Sequence, residues 1–274
     1  MSNRDDTTHK KDTTMADGLI LYEGPSQIDD APIICIATGI KRKTANKKLS
    51  GFSARIRPGM IQTWIMRSDI EPHTAIKTGQ DGSVCGGCIH RPSLGGSCYV
   101  IGYQAPLSIY KAYHRGGYDR ATDPAAVDRD LRLGSYGNPS ALPVTVWDMH
   151  TEGTRAITGY DHRWRDLDPA IWAGFVMASV ETPWDAVLAH SLGWRTFRVK
   201  LPEEPLLPFE RGCPASEEMG KILDCQSCVQ CDGTRRGALR PSRAIDVHGS
   251  LAKRYRLWRA GIGEPTDWHQ GLAI

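Results

Sequence analysis

The chain has 274 residues, of which 40% are hydrophobic and 24% charged, with 28 glycines and 17 prolines. This is the mix of a globular protein able to bury a core, and the glycine and proline content excludes a long helical rod. No apolar run reaches the roughly 20 residues of a membrane helix, and a net charge of +3 excludes a nucleic-acid coat while leaving room for a local basic patch.

Residues 1–18 are polar, lack the apolar segment of a secretory signal and read as a disordered tail. A cytoplasmic location is expected, the host-cell cytoplasm if a phage carries the chain, with no membrane partner. In a reducing compartment cysteines serve more often as metal ligands or redox groups than as disulfides. Cys35 lies in the apolar β-like run 33–36 and reads as a buried small hydrophobe. The basic run KRKTANKK at 41–48 reads as a solvated loop that could touch phosphates.

The other seven cysteines fall in two windows. In the first, Cys85, Cys88 and Cys98 sit in a glycine-rich stretch, 79–99, which reads as a loop. Three thiolates on a 4Fe–4S cluster leave one iron open to a ligand, the arrangement that chemistry needs. The alternative is a zinc site completed by His90. Residues 106–118 read as a helix burying Ile109, Tyr110 and Tyr113 and ended by Gly116-Gly117.

Short apolar runs then recur at 131–133, 156–158, 175–178 and 196–199, separated by helix-like segments at 139–150, 168–173 and 182–192. Thr182 and Pro183 suit a helix start and Gly193 its end. This alternation predicts an α/β fold, a partial (β/α) barrel-like parallel sheet. The runs end in Tyr136, Gly137 and Asn138, in Tyr160, Asp161 and His162, and in Ser179 to Glu181. Ligands of parallel α/β sheets bind at such carboxyl ends, so these residues would line one rim. Tyr136, Tyr160, Asp161 and His162 are the catalytic candidates, and 161–165 could also hold an anion. Trp147, Trp172, Trp184 and Trp194 read as core.

The second window holds Cys213, Cys225, Cys228 and Cys231. Two-residue spacers let successive sulfurs face one centre, as in ferredoxin-type clusters. Four thiolates also suit a closed zinc site. Beyond them, Arg235, Arg236, Arg240, Arg243, Lys253, Arg254, Arg256 and Arg259 surround a helix-like stretch, 251–261, with Leu251, Tyr255 and Trp258 on one stripe. Such a surface could grip nucleic acid or dock with its basic face in solvent. The expected organisation is the tail, an α/β core over 19–210 and a cysteine-rich, basic segment over 211–274.

The Cys85, Cys88, Cys98-Tyr99 loop, the strand end at Gly137-Asn138, the Gly159-Tyr160 strand end and the Cys213-Pro214 segment, taken in that order, resemble phage- and plasmid-encoded three-cysteine proteins distantly related to the radical S-adenosylmethionine (SAM) enzymes. The loop spacing, Cys-x2-Cys-x9-Cys, differs from the Cys-x3-Cys-x2-Cys usual in radical SAM enzymes. The resemblance implies an iron–sulfur enzyme with an open cluster in the first loop and a closed one in the second. SAM would bind near Cys85, Cys88, Cys98, Tyr99, Gly137, Asn138 and Ser179, with a small-molecule or nucleotide substrate. The competing expectation is a zinc-stabilised nucleic-acid-binding protein of a phage or plasmid.

Overall fold

In this computed structural model, residues 17–40, 59–122, 129–249 and 251–261 are described. Most of the polar tail and the whole basic run at 41–48 lie outside them. The strands are β1 (Gly18–Pro25), β2 (Pro32–Thr38), β3 (Ile61–Arg67), β4 (Asp119–Arg120), β5 (Leu131–Tyr136), β6 (Ile157–Asp161), β7 (Met177–Val180), β8 (Thr196–Lys200), β9 (Glu210–Gly212) and β10 (Ser242–Asp246). The helices are α1 (Pro72–Thr78), α2 (Gly82–Cys85), α3 (Ala105–His114), α4 (Val144–Thr151), α5 (Pro169–Trp172), α6 (Pro183–Ser191), α7 (Cys225–Cys228) and α8 (Ala252–Arg259). None of the described helices is long and apolar enough to cross a membrane.

The strands form one open sheet of ten, in the order β4-β1-β2-β3-β5-β6-β7-β8-β10-β9. From β3 onward every neighbouring pair is parallel. The four runs between the cysteine windows are thus adjacent parallel strands, β5 to β8, as their alternation with helical segments predicts. At the other end β1, β2 and β3 pair antiparallel. Cys35, at the centre of β2, is fully buried, as its apolar neighbours predict. The expected boundary at 210/211 falls inside β9, and β10 pairs with β8, so the cysteine-rich segment is woven into the sheet.

Local signals explain the helices. The Thr182 side chain accepts from the Asp185 N–H and Pro183 follows it, which starts α6. Asp168 does the same for α5, accepting from the Ala170 N–H. Helices α3 to α6 bury Ile109, Tyr110, Trp147, Trp172, Ala186 and Ala189 against one face of the sheet. The other face carries a smaller apolar group, Met177, Phe197 and Ile245, with Tyr160, Val199, Cys213 and Cys231 packed on it. Trp184 departs from expectation. It stands in the first turn of α6 and is 73% exposed, because α6 turns Ala186 and Ala189 to the sheet instead.

Candidate functional site

The first cysteine window sits at the carboxyl ends of the parallel strands. It is not all loop, since Gly82–Cys85 form one helical turn. Asn138, just past β5, fastens it. Its backbone N–H donates to the Val84 carbonyl at 2.7 Å and its side-chain N–H to the Cys85 carbonyl at 2.8 Å. Arg91 ties the loop to itself, donating to Asp81 at 2.7 Å and to the carbonyls of Gly79 at 2.5 Å and Gly86 at 3.0 Å. Cys98 returns toward Cys88 because its N–H donates to the His90 carbonyl at 2.7 Å. Gly96 permits this approach, as a Cβ there would lie 2.2 Å from the Ile89 carbonyl oxygen.

The backbone N–H groups of Gly137, His90 and Val100 favour the thiolates of Cys85, Cys88 and Cys98 in turn. Burial pushes all three thiols up, Cys85 and Cys88 well above the ordinary value. The negative charge of Asp81 adds to the effect on Cys85, as do Cys85, Cys98 and Glu181 on Cys88. Gly137 has φ +82°, and a Cβ there would meet the Ile65 Cβ at 2.8 Å, so glycine is needed for packing on β3 as well as for the turn. Tyr136 is buried near the same thiols. Its hydroxyl has no hydrogen-bond partner, and burial followed by the charge of Cys85 holds it well above the usual phenol value. Tyr99 is 77% exposed at the loop's end.

The second window packs on the sheet's other face, against Met177, Phe197 and Ile245, with Cys213 just past the carboxyl end of β9 and residues 226–233 tied to the amino ends of β5, β6 and β8. Arg155 and Asp130, which flank β6 and β5, bind the Gln226 carbonyl at 3.1 Å and its side chain at 3.2 Å. Arg195, immediately before β8, is 1% exposed and donates to the carbonyls of Gln230 at 2.8 Å, Gly233 at 2.5 Å and Pro241 at 2.7 Å, and to Asp232 at 3.1 Å. Arg240 reaches the same Asp232 at 3.0 Å. The Tyr160 hydroxyl donates to the Cys231 sulfur, whose thiol is pushed up to about 12, first by burial and then by the charges of Cys225, Cys213 and Cys228. Cys228 accepts from the Gln230 N–H, and burial raises it too.

The rim candidates therefore separate. Tyr136 packs on the helix-covered face by the first loop, whereas Tyr160 packs on the opposite face by the second window, under the Arg132 guanidinium at 4.8 Å. A shared rim for the two tyrosines is corrected on geometry. Arg132 pairs with Thr158, so even-numbered residues of β5 and β6 start on one face; the positive φ of Gly134 and the register shift between β3 and β5 break that alternation before Tyr136, which packs in the larger core while Tyr160 packs in the smaller. Ser179 is two residues along β7 from Met177, on Tyr160's face, and is 5% exposed. Asp161 is fully buried and accepts from the N–H groups of Ser140 at 2.7 Å and Arg163 at 2.8 Å. It pins the turn after β6 and does not face a ligand space. Arg165 is bound to Asp185 at 2.5 Å, and Arg163 reaches the Ser140 carbonyl at 3.3 Å, so both guanidinium groups of that run bond within the protein. His162 and His90 both turn toward Glu181, the first residue past β7.

Basic residues of the C-terminal segment are likewise engaged. Arg235 binds the Thr151 carbonyl at 2.7 Å, Arg236 the Arg155 carbonyl at 2.5 Å, Arg243 the Gly212 carbonyl at 3.3 Å and Arg256 the Glu203 carboxylate at 2.7 Å, while Arg259 pairs with Glu204. Tyr255 of α8 is 1% exposed. Arg91 and Arg195 are the site residues that motif reading does not single out, since single arginines carry no spacing signal, whereas Glu181 belongs to a strand end the sequence marks. Compared with known proteins, the chain matches no family model, no curated protein and no solved structure.

Proposed function

We propose that the protein is an iron–sulfur enzyme of the radical SAM kind. Cys85, Cys88 and Cys98 would hold an open 4Fe–4S cluster, and Cys213, Cys225, Cys228 and Cys231 a closed one. The observation that carries this reading is a fastened glycine loop that buries Cys85, Cys88 and Cys98 at the strand ends, with the backbone N–H groups of Gly137, His90 and Val100 each favouring the thiolate of one of them. Amides aimed at sulfur favour the thiolate, yet burial opposes it, and a bound cationic cluster is what reverses the balance. His90 is turned away to Glu181 and His162.

An open cluster held by Cys85, Cys88 and Cys98 would supply, with one electron from an external reductant, reductive cleavage of the SAM sulfonium. The protein's own part is positional. Asn138 fixes the loop at the strand ends, and both ends of its amide are occupied in doing so. Tyr136 excludes water beside the sulfurs. Tyr255 donates to the Glu181 carbonyl at 2.9 Å and so closes α8 over the strand ends.

Anaerobic purification with metal analysis tests the reading. The expected protein is brown, carries about four irons per site and gives a paramagnetic signal on reduction that changes when SAM is added. His90→Ala should keep its iron. A colourless protein with two zinc ions would overturn the assignment, and clusters indifferent to SAM would overturn the radical chemistry.

A further inference from the structure

Beside the cysteine loop, and made of different atoms, is a second kind of ligand set. We propose that His90, His162 and Glu181 bind one divalent transition-metal ion at the carboxyl ends of β6 and β7. Among the described residues they are the only trio of histidine, cysteine or acidic side chains whose ligand atoms all lie within 4.8 Å of one another. Glu181 Oε1 is 3.3 Å from His90 Nε2 and 3.6 Å from His162 Nε2. An ion about 2.1 Å from each donor separates adjacent donors by about 3.0–3.4 Å; the two Glu181 edges are close to that, and the third, between the imidazoles, lies within 4.8 Å.

The atoms are also left in a state that asks for a partner. His90 Nε2 and Glu181 Oε1 are both buried without a hydrogen bond, since their 3.3 Å approach is not aligned as one. Two such atoms in one small space are costly unless something joins them. The carboxylate side chain is 9% exposed and the His90 side chain 13%.

Each imidazole is held from behind, as metal-binding histidines are. His90 Nδ1 is 2.8 Å from the Ser97 hydroxyl. His162 Nδ1 is 3.2 Å from Asn138 Oδ1, which also accepts from the His162 N–H, while Asn138 Nδ2 donates to the Cys85 carbonyl. An amide oxygen only accepts, so Nδ1 of His162 carries the proton and Nε2 offers its lone pair to the site. Tyr255 stacks on the His90 ring with centroids 5.7 Å apart and planes 17° from parallel, and walls one side.

Two imidazoles and one carboxylate, with no thiolate, suit Mn²⁺, Fe²⁺, Co²⁺ or Zn²⁺ better than a soft monovalent ion or Ca²⁺. Three protein donors leave coordination positions for water or a substrate oxygen. The site takes nothing from the cysteines and stands whether or not they hold iron.

Mn²⁺ is the probe, because it prefers oxygen and nitrogen donors and leaves thiolates alone. The full-length protein, purified anaerobically, is titrated with Mn²⁺ while the free-ion paramagnetic signal is followed. One ion per chain is expected, with nitrogen coupling from imidazole in its pulsed spectrum. Binding should weaken about 100-fold in Glu181→Gln and His162→Ala, and about tenfold in Ser97→Ala. Thermal unfolding should rise with Mn²⁺ in the natural protein and not in the first two variants. Absence of nitrogen-coupled Mn²⁺ in the natural protein overturns the proposal even if a variant fails to fold. So does binding that persists in both ligand variants, and so does a thermal response that is the same in all.

Discussion

The first cysteine window hangs at the carboxyl ends of the parallel strands and the second packs on the sheet's other face, and each is organised around an arginine that collects backbone carbonyls. The arginines act differently. Arg91 belongs to the loop it holds, binding Gly79, Asp81 and Gly86, and its side chain is 13% exposed. Arg195 belongs to the sheet and pulls residues 230–241 onto the start of β8. The first loop is therefore a self-contained unit hung on the sheet through Asn138. The second window is part of the sheet's foundation. An open site tolerates adjustment around a ligand, whereas a closed one gains from rigidity, and the two modes of attachment fit that division.

The largest expected effect comes from breaking the stiffer attachment. Arg195→Ala leaves Asp232 buried with a weakened set of partners and four carbonyls, those of Gln230, Gly233, Arg240 and Pro241, without that donor. A loss of about 3–5 kcal/mol is expected in chemical denaturation, with metal lost from the second window. Arg91→Ala should cost about 2 kcal/mol and affect the first loop alone. Equal losses from the two variants would erase the contrast. Asn138→Ala comes next. It should cost about 1–3 kcal/mol and lower the metal content of the first loop while the second keeps its own, measured by metal analysis of each variant. Loss from both windows would mean that they are coupled through the sheet.

Much of the fold is legible in the sequence because it rests on local rules. Runs of apolar residues alternate with helical segments, and Thr182-Pro183 marks a helix start by a hydrogen bond three residues long. The antiparallel β1–β2–β3 end is not legible, since only Cys35's apolar run signals a strand and its partners are distant. In the site, cysteine spacing identifies which thiols belong together but not where each group lies. That depends on contacts such as Asn138 with Cys85 and Arg195 with Gln230, between residues 53 and 35 positions apart. The two tyrosines show the limit sharply. Both read as strand-end residues, and the break in alternation at Gly134 puts them in different cores.

Alkali should separate the windows further. In metal-free protein a buried thiol with a raised folded-state value contributes stability that is fully present below the unfolded value, near 9.0, and is lost as pH rises toward the folded one. For Cys231 that window runs from 9.0 to about 12. Cys85 and Cys88 are pushed well above the usual value and Cys98 is raised as well, so the first loop should contribute the larger share. Denaturation midpoints at pH 8 and pH 10 should diverge less in Cys85→Ser than in Cys228→Ser. Metal-loaded protein, its thiolates already ionised, should show little of this dependence.

The smallest effect is the most discriminating. Tyr160→Phe removes the hydroxyl that donates to the Cys231 sulfur and keeps the ring that Arg132 covers. Stability should fall by only about 1 kcal/mol, the worth of one hydrogen bond. The donor steadies negative charge on sulfur, and reduction adds negative charge to a cluster. Its loss should therefore lower the reduction potential of the second window's cluster and leave that of the first unchanged. Potentiometric titration of the two paramagnetic signals reads this directly. A shift confined to the first signal would put Tyr160 beside the open site after all, on the rim where its strand-end position first suggests it belongs.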